Sequence, residues 1–242
     1  MKINFFTYLL FFFSLYSFAG WILETVYASI EAKRFINRGF LRGPFCPIYG
    51  FGSLAVICSS AAMDSFVETS AYSQVAKIIA AIMIATILEY CTGFVLEKLF
   101  NCKWWDYSDE FLNIQGKVCL KYSILWGFLA YILIEIIHPP VFGFSASLPQ
   151  AVRFIAGFIA TAYLIIDTII TTGDILDLKR IIQDYYKNPL EKSIAAFARY
   201  KRIFMAFPQL YFINSDKLNH EIRGYIYDKT AKIKTQIKKW HA

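Results

Sequence analysis

Charge is scarce in this 242-residue chain: Asp, Glu, Lys and Arg together make up only 18%. A soluble domain of this length needs more charge than that to keep its surface wet, so a soluble globular class is excluded. Histidine occurs three times, and none of the five cysteines (46, 58, 91, 102 and 119) forms a C-x-x-C pair or has a histidine close by. A zinc site and a disulfide framework are therefore not expected, and no metal or cofactor is read from the sequence. No H-E-x-x-H, Ser-His-Asp or Cys-His arrangement is evident, which leans the reading away from an enzyme.

What the chain has instead is apolar mass. It is 57% hydrophobic, with a mean hydropathy of +0.44 and 18% aromatic residues. Five stretches, at about 5–30, 44–63, 76–99, 121–142 and 150–176, approach the ~20 helical residues that cross a hydrocarbon core. We expect an all-α, polytopic membrane bundle of about five transmembrane helices, the last free to bend at Gly157 or Gly173. Cys58 and Cys91 fall inside these stretches and read as small core residues. Residues 1–177 form the membrane domain and 178–242 a tail.

Lys and Arg set the expected orientation. With the N-terminus outside, the first loop holds four of them (Lys33, Arg34, Arg38, Arg42), the third loop four (Lys98, Lys103, Lys117, Lys121) and the tail fourteen, so 4 + 4 + 14 = 22 of 25 lie inside. Lys2, Lys77 and Arg153 are left for the outside, and the C-terminus is cytoplasmic. Met1-Lys2 and Ser17-Phe18-Ala19 mimic a cleaved secretory signal, but the apolar pattern runs on to Ile30, so an uncleaved span is expected.

A parallel repeat of two-helix units is suggested at an offset of 65 residues: Ile22-Leu23-Glu24 matches Ile87-Leu88-Glu89, Lys33 matches Lys98, and Phe35 matches Phe100. Glu24 and Glu89 each precede the matched lysine by nine residues, which sets both at the same depth. Each lies in a row of small residues (Gly20, Glu24, Ala28; Ala81, Ala85, Glu89, Gly93), so both should face the bundle interior. A carboxylate there must be protonated, paired or wetted. The readings are a proton, ion or substrate site, or a hydrogen-bonded pair that locks the helices. Glu135, just before His138-Pro139-Pro140, is read as reaching the outer interface. Asp167 shares a polar stripe with Tyr163, Thr171 and Asp174.

The densest signal is the run from Asn37 to Gly52, with Pro44, Pro47 and four glycines where the second span should begin. The open N-terminus of that span, with Arg38 and Arg42, would suit an anion; the alternative is two arginines touching lipid phosphates. The third loop holds Trp104-Trp105-Asp106-Tyr107-Ser108 and Asn113-Ile114-Gln115-Gly116. Its tryptophans read as membrane-edge anchors, and Asp106 as a partner for Arg38 or Arg42. Candidate substrate- or ion-binding residues are thus Glu24, Glu89, Arg38, Arg42, Tyr49, Asp106, Tyr107 and Asn113.

These two runs, with Gly20-Trp21 and Glu24 ahead of them, resemble the bacterial CmpB-like ABC-transporter type IV family over about residues 15–140. The resemblance implies a multi-pass protein of the bacterial plasma membrane with a permease-like role. No G-x-x-x-x-G-K-[ST] phosphate loop is present, so ATP hydrolysis would have to come from a separate ATPase partner or other subunit. Glu31-Ala32 only loosely matches the coupling loop of importer permeases, with Gly39 at the wrong spacing.

The tail carries fourteen Lys or Arg against five Asp or Glu, net +9. Helix starts are read at Asn188-Pro189 and Ser215, with Leu190, Ile194, Phe197, Ala198 and Phe204 on one face of the first helix and Leu218, Ile222, Ile226, Ile233 and Ile237 on the second. Basic amphipathic helices of this kind rest on anionic membrane lipids or dock on a partner; nucleic acid is not an expected partner. Three functions stay open: a permease-like transport subunit, a membrane enzyme acting on a phosphorylated lipid or other amphiphile at the cytoplasmic face, and a non-catalytic scaffold.

Overall fold

The computed structural model describes residues 2–66, 71–187, 198–213 and 224. It is an all-α polytopic bundle: α1 (Lys2–Ala32), α2 (Pro47–Phe66), α3 (Ala71–Phe100), α4 (Leu120–Ile132), α5 (His138–Ser147) and α6 (Gln150–Lys187). Four helical rods, Phe5–Ala32, Tyr72–Phe100, Leu120–Ser147 and Gln150–Gln183, are long and apolar enough to cross a membrane. The second expected span, α2, has 20 residues. It falls outside that set, its apolar run broken by Gly50, Gly52, four serines and Asp64.

Packing follows small residues. α2 lies between α1 and α3, α1 also leans on α6, and α3 on α4. A Cβ on Gly157 would sit 2.7 Å from the Phe11 backbone nitrogen, so α6 and α1 touch backbone to backbone there. The same contact is tied by Ser14 Oγ, 3.0 Å from Thr161 Oγ1. α6 runs unbroken for 38 residues, through both Gly157 and Gly173.

The fourth rod differs from the expectation. It passes straight through Pro139-Pro140 and ends at Ser147 instead of near 142. A proline inside a helix removes a donor and crowds the carbonyl four residues earlier. Here a π-helical turn, Leu133–Ile137, widens the helix just before the prolines and makes room for them. Glu135, expected at the outer interface, is therefore carried to the middle of the rod.

At the end remote from the motif loops, Lys77 pairs with Asp64, tying α3 to α2. Arg153 Nη1 caps the end of α5, donating to the carbonyls of Ser145 (2.6 Å) and Leu148 (2.7 Å). Cys58 and Cys91 are exposed on the outer surfaces of their helices, contrary to a core placement. The interior of these contacts is filled by serine, threonine, alanine and aromatic residues, which leaves the cysteines facing outward.

Beyond α6, a one-turn 3-10 segment (Ala198–Tyr200) leads into α7 (Lys201–Ala206) and β2 (Tyr211–Phe212). β2 pairs antiparallel with β1 (Cys102–Lys103) in the third loop. Tyr200, Ile203, Leu210 and Phe212 share a buried cluster with Phe100, Cys102, Trp104, Ile175 and Leu178. This part of the tail packs on its own chain's loops. Phe204 belongs to that packing, whereas the helix starts at Asn188 and Ser215, and the residues 190, 194, 197, 218, 222, 226, 233 and 237, fall outside the described residues.

Candidate functional site

The first loop is built around Asn37. Its Oδ1 accepts from Trp21 Nε1 (2.8 Å) and from Gly39 N (3.1 Å), while its Nδ2 donates to the Arg42 carbonyl (2.8 Å). One short side chain thus closes the turn from both sides, as Asn does best. The turn drives Leu41 into the bundle, fully buried against Phe13 and Leu164. Gly43 then passes so close to α6 that a Cβ there would meet the Tyr163 hydroxyl at 2.3 Å and Asp167 Oδ2 at 2.9 Å.

The polar stripe of α6 receives this loop. Asp167, buried, accepts from Gly43 N (2.7 Å), Arg42 N (3.2 Å) and Thr171 Oγ1 (3.2 Å). Two turns further on, Asp174 takes the Arg42 guanidinium through Nε (2.7 Å) and Nη2. The hydrogen bond from that guanidinium to Asp174 raises the Arg42 pKa further. From the other side Arg202 of α7 donates to the carbonyls of Gly39 (2.9 Å), Phe40 (3.0 Å) and Leu41 (3.0 Å). Burial lowers the Arg202 pKa from its ordinary value, against the opposing pull of Asp167 and Asp174.

The third loop is stitched largely by its own residues. Asp106 accepts from Lys103 Nζ (2.7 Å), Ser108 N (3.0 Å) and Ser108 Oγ. Partial burial pushes its carboxyl up, but these hydrogen bonds outweigh it and hold the group below the ordinary range. Asn113 donates to the carbonyls of Ser108 (2.9 Å) and Glu110 (3.0 Å) and accepts from Gly116 N (3.2 Å). Lys117, buried, pairs with Glu97 at 2.8 Å. A cavity of about 10 Å³ opens between Gly93, Glu97, Trp104, Trp105 and Lys117, room for a single water.

Beneath the loops the two membrane carboxylates sit in separate settings that touch. Glu24 accepts from the Tyr49 hydroxyl (2.7 Å) and faces Arg38 Nε at 3.3 Å. Glu89, 6% exposed, accepts from Trp126 Nε1 (3.0 Å) and the Tyr107 hydroxyl (3.3 Å). The Tyr49 and Trp126 rings meet edge to face, 5.7 Å between centroids. A continuous path therefore runs Glu24–Tyr49–Trp126–Glu89–Tyr107 across four helices and one loop.

Of the eight residues singled out by sequence, the structure gathers five: Glu24, Arg38 and Tyr49 on one carboxylate, Glu89 and Tyr107 on the other. Arg42 is turned toward α6, and Asp106 and Asn113 shape their own loop. The expected Asp106 pair with Arg38 or Arg42 is not formed. Lys103 is only three residues from Asp106, while each arginine has a nearer carboxylate. The expected anion seat is likewise filled by protein carboxylates. The tryptophans are both held by protein contacts: Trp104 is buried against Phe40, Phe100 and Phe207, and Trp105, half-buried, donates to the Lys117 carbonyl at 2.8 Å. Sequence reasoning missed Arg202 and Trp126 as members of the site, since neither stands in a motif. Asp174 and Tyr163 were visible only as part of the α6 stripe.

Comparison with known families falls on this same region. Residues 11–172 match the model of the family described as "Putative ABC-transporter type IV". The match spans more than half of the chain and takes in both loops and all six helices up to the middle of α6. The chain belongs to this family. No curated protein and no solved structure matches it. As an ABC-transporter type IV family member with four long apolar rods, it is a transport-related, multi-pass membrane protein, and the family suggests association with other transporter subunits.

Proposed function

We propose that this chain is a permease-like subunit of an ABC-type transport assembly in a bacterial plasma membrane, with a polar site that faces the cytoplasm. The observation that carries the reading is the Glu24–Tyr49–Trp126–Glu89–Tyr107 path. Carboxylates at this depth hold a ligand or proton more economically than they hold helices together, since small-residue contacts already do the latter. Contact between the first loop and the third (Phe40 on Trp104, 5.1 Å between centroids) puts both loops and α7 at one end of the bundle. The Lys and Arg count assigns that end to the cytoplasm. ATP hydrolysis belongs to a separate subunit that docks there, and the rest of the basic tail lies against anionic lipid.

Two alternatives draw less support. An enzyme holding a phosphorylated amphiphile needs free guanidinium groups, and those of Arg38 and Arg42 are engaged by Glu24 and Asp174. A scaffold has no use for a buried carboxylate path. Purification of the intact chain from its native membrane in mild detergent, followed by mass spectrometry of bound protein and lipid, tests the reading. Stoichiometric recovery of an ATPase whose hydrolysis falls at least tenfold with Glu89→Gln is expected. Recovery of no ATPase, with a retained phosphorylated amphiphile that is lost in Arg42→Ala, would replace transport by the enzyme. Maleimide reaching an Asn113→Cys variant only from outside the cell would invert the orientation.

A further inference from the structure

Glu135 stands apart from everything above. It lies on the exposed surface of the fourth rod, and no side chain or main-chain group among the described residues pairs with its carboxylate. Its depth follows from the rod's length. Glu135 is fifteen residues from Leu120 and twelve from Ser147. At ~1.5 Å per residue these are roughly 22 and 18 Å. A hydrocarbon slab of about 30 Å placed anywhere along the rod therefore leaves Glu135 at least roughly 8 Å inside it. The long side chain cannot reach water from there without distorting the bilayer.

The backbone compounds the deficit. The residues four and five after Glu135 are Pro139 and Pro140, which have no N–H. The Glu135 carbonyl thus has neither an α-helical nor a π-helical donor. The next amide, His138 N, is committed to the Leu133 carbonyl. Two acceptors of one residue, side chain and main chain, are left unmet among the exposed apolar residues Phe128, Tyr131 and Ile136 of the same rod. Unmet polar groups at mid-membrane are found where protein, not lipid, covers them.

We infer that the Glu135 face of the fourth rod docks a transmembrane helix of a different subunit, one that carries a lysine or arginine near the middle of its span. A cation with several N–H donors would satisfy both acceptors at once. A second copy of this chain does not fit. Two copies in one membrane share an orientation, so Glu135 would meet groups at its own depth. Among the described residues the cations of the apolar rods lie only near their ends: Lys77 and Arg153 at one, Lys98, Lys121, Lys179 and Arg180 at the other. Lys77 and Arg153 are also already engaged within the fold. The inference is independent of the cytoplasmic site, which lies on other residues.

The test uses the intact chain in its native membrane, with photoreactive p-benzoylphenylalanine replacing Tyr131, one turn from Glu135. The expected result is an adduct with one membrane-spanning polypeptide, mapped within a helical turn of a mid-span Lys or Arg. Glu135→Leu and the isosteric Glu135→Gln should each cut the adduct at least tenfold, with the amount of folded, membrane-inserted chain unchanged; should Glu135→Leu fail to fold, Glu135→Gln decides. Crosslinking only to lipid or to a second copy, an adduct helix without a mid-span cation, or an unchanged yield in the folded variants would each overturn the inference. A leucine that improves stability and leaves the adduct intact would show that the carboxylate plays no part in holding the neighbouring helix.

Discussion

Replacing Asp167 by Asn should release the first loop from the bundle. The carboxylate is 5% exposed and holds two consecutive main-chain amides, those of Arg42 and Gly43. Asparagine keeps the shape but turns one acceptor oxygen into a donor. Whichever way the amide is placed, one of the two N–H groups then faces a hydrogen atom. A hydrogen bond to a charged group contributes about 1.5–3 kcal/mol, so a loss of about 2 kcal/mol is expected for the loop's closed state. That corresponds to roughly a thirtyfold larger open population, at about 1.4 kcal/mol per tenfold. Cys46, three residues beyond Gly43, reports it. Its thiol is 7% exposed and pushed up to about 12, by burial first and by Glu24 second. A closed loop therefore labels very slowly, because both access and thiolate are lacking. Site-resolved mass spectrometry of maleimide labelling at pH 7.5 should show the Cys46 rate rising about thirtyfold in Asp167→Asn, with Cys102 and Cys119 unchanged. A Cys46 rate within threefold of the parent would refute the claim that Asp167 fastens the loop.

Three further outcomes follow from the same geometry. Gly20→Ala places a Cβ 2.2 Å from the Tyr49 ring and should separate Tyr49 from Glu24, lowering the thermal midpoint, whereas Gly143→Ala, with nothing within 4 Å, should be neutral or stabilising by a few tenths to about 1 kcal/mol. Gly116→Ala forces an alanine to φ +67° and its Cβ to 2.3 Å from Asp106 Oδ1; amide exchange across residues 106–118 should speed up by an amount consistent with about 1–3 kcal/mol of strain. The Asp106 carboxyl is held below its ordinary value, so its contribution to the third loop is present above the usual ~3.9 and is lost as pH falls through the lower folded value. Trypsin cleavage after Lys103, measured after brief acid exposure, should stay constant from pH 7 to 5 and rise only below about pH 4; a rise near pH 6 would point to another group.

The bundle was legible in sequence because the membrane imposes its own period and length on apolar runs, and a run of Phe, Leu and Ile admits few other readings. The depth of Glu135 was not, since a span ending near 142 sets it close to the outer face, and only the structure carries the helix on to Ser147. Glu24 and Glu89, counted along single helices, do lie on one chain of contacts through Tyr49 and Trp126. Pairing Asp106 with an arginine failed. Partners across loops depend on which charge is nearest after folding, and Lys103 and Asp174 win by proximity that no spacing rule encodes. Cys58 and Cys91 could not be placed at all by composition, because in lipid an apolar residue gains nothing by turning inward.

Arg202 closes a loop made 163 residues earlier in the chain. At synthesis rates of about 5–20 residues per second, Gly39 waits on the order of 10–30 s for its partner to leave the ribosome. During that interval every apolar rod has been delivered to the membrane, yet the first loop still lacks three of its hydrogen bonds and β1 lacks its mate. The final contacts are made only by a chain translated past residue 212, so a prematurely terminated copy carries its spans with the first loop and β1 still open.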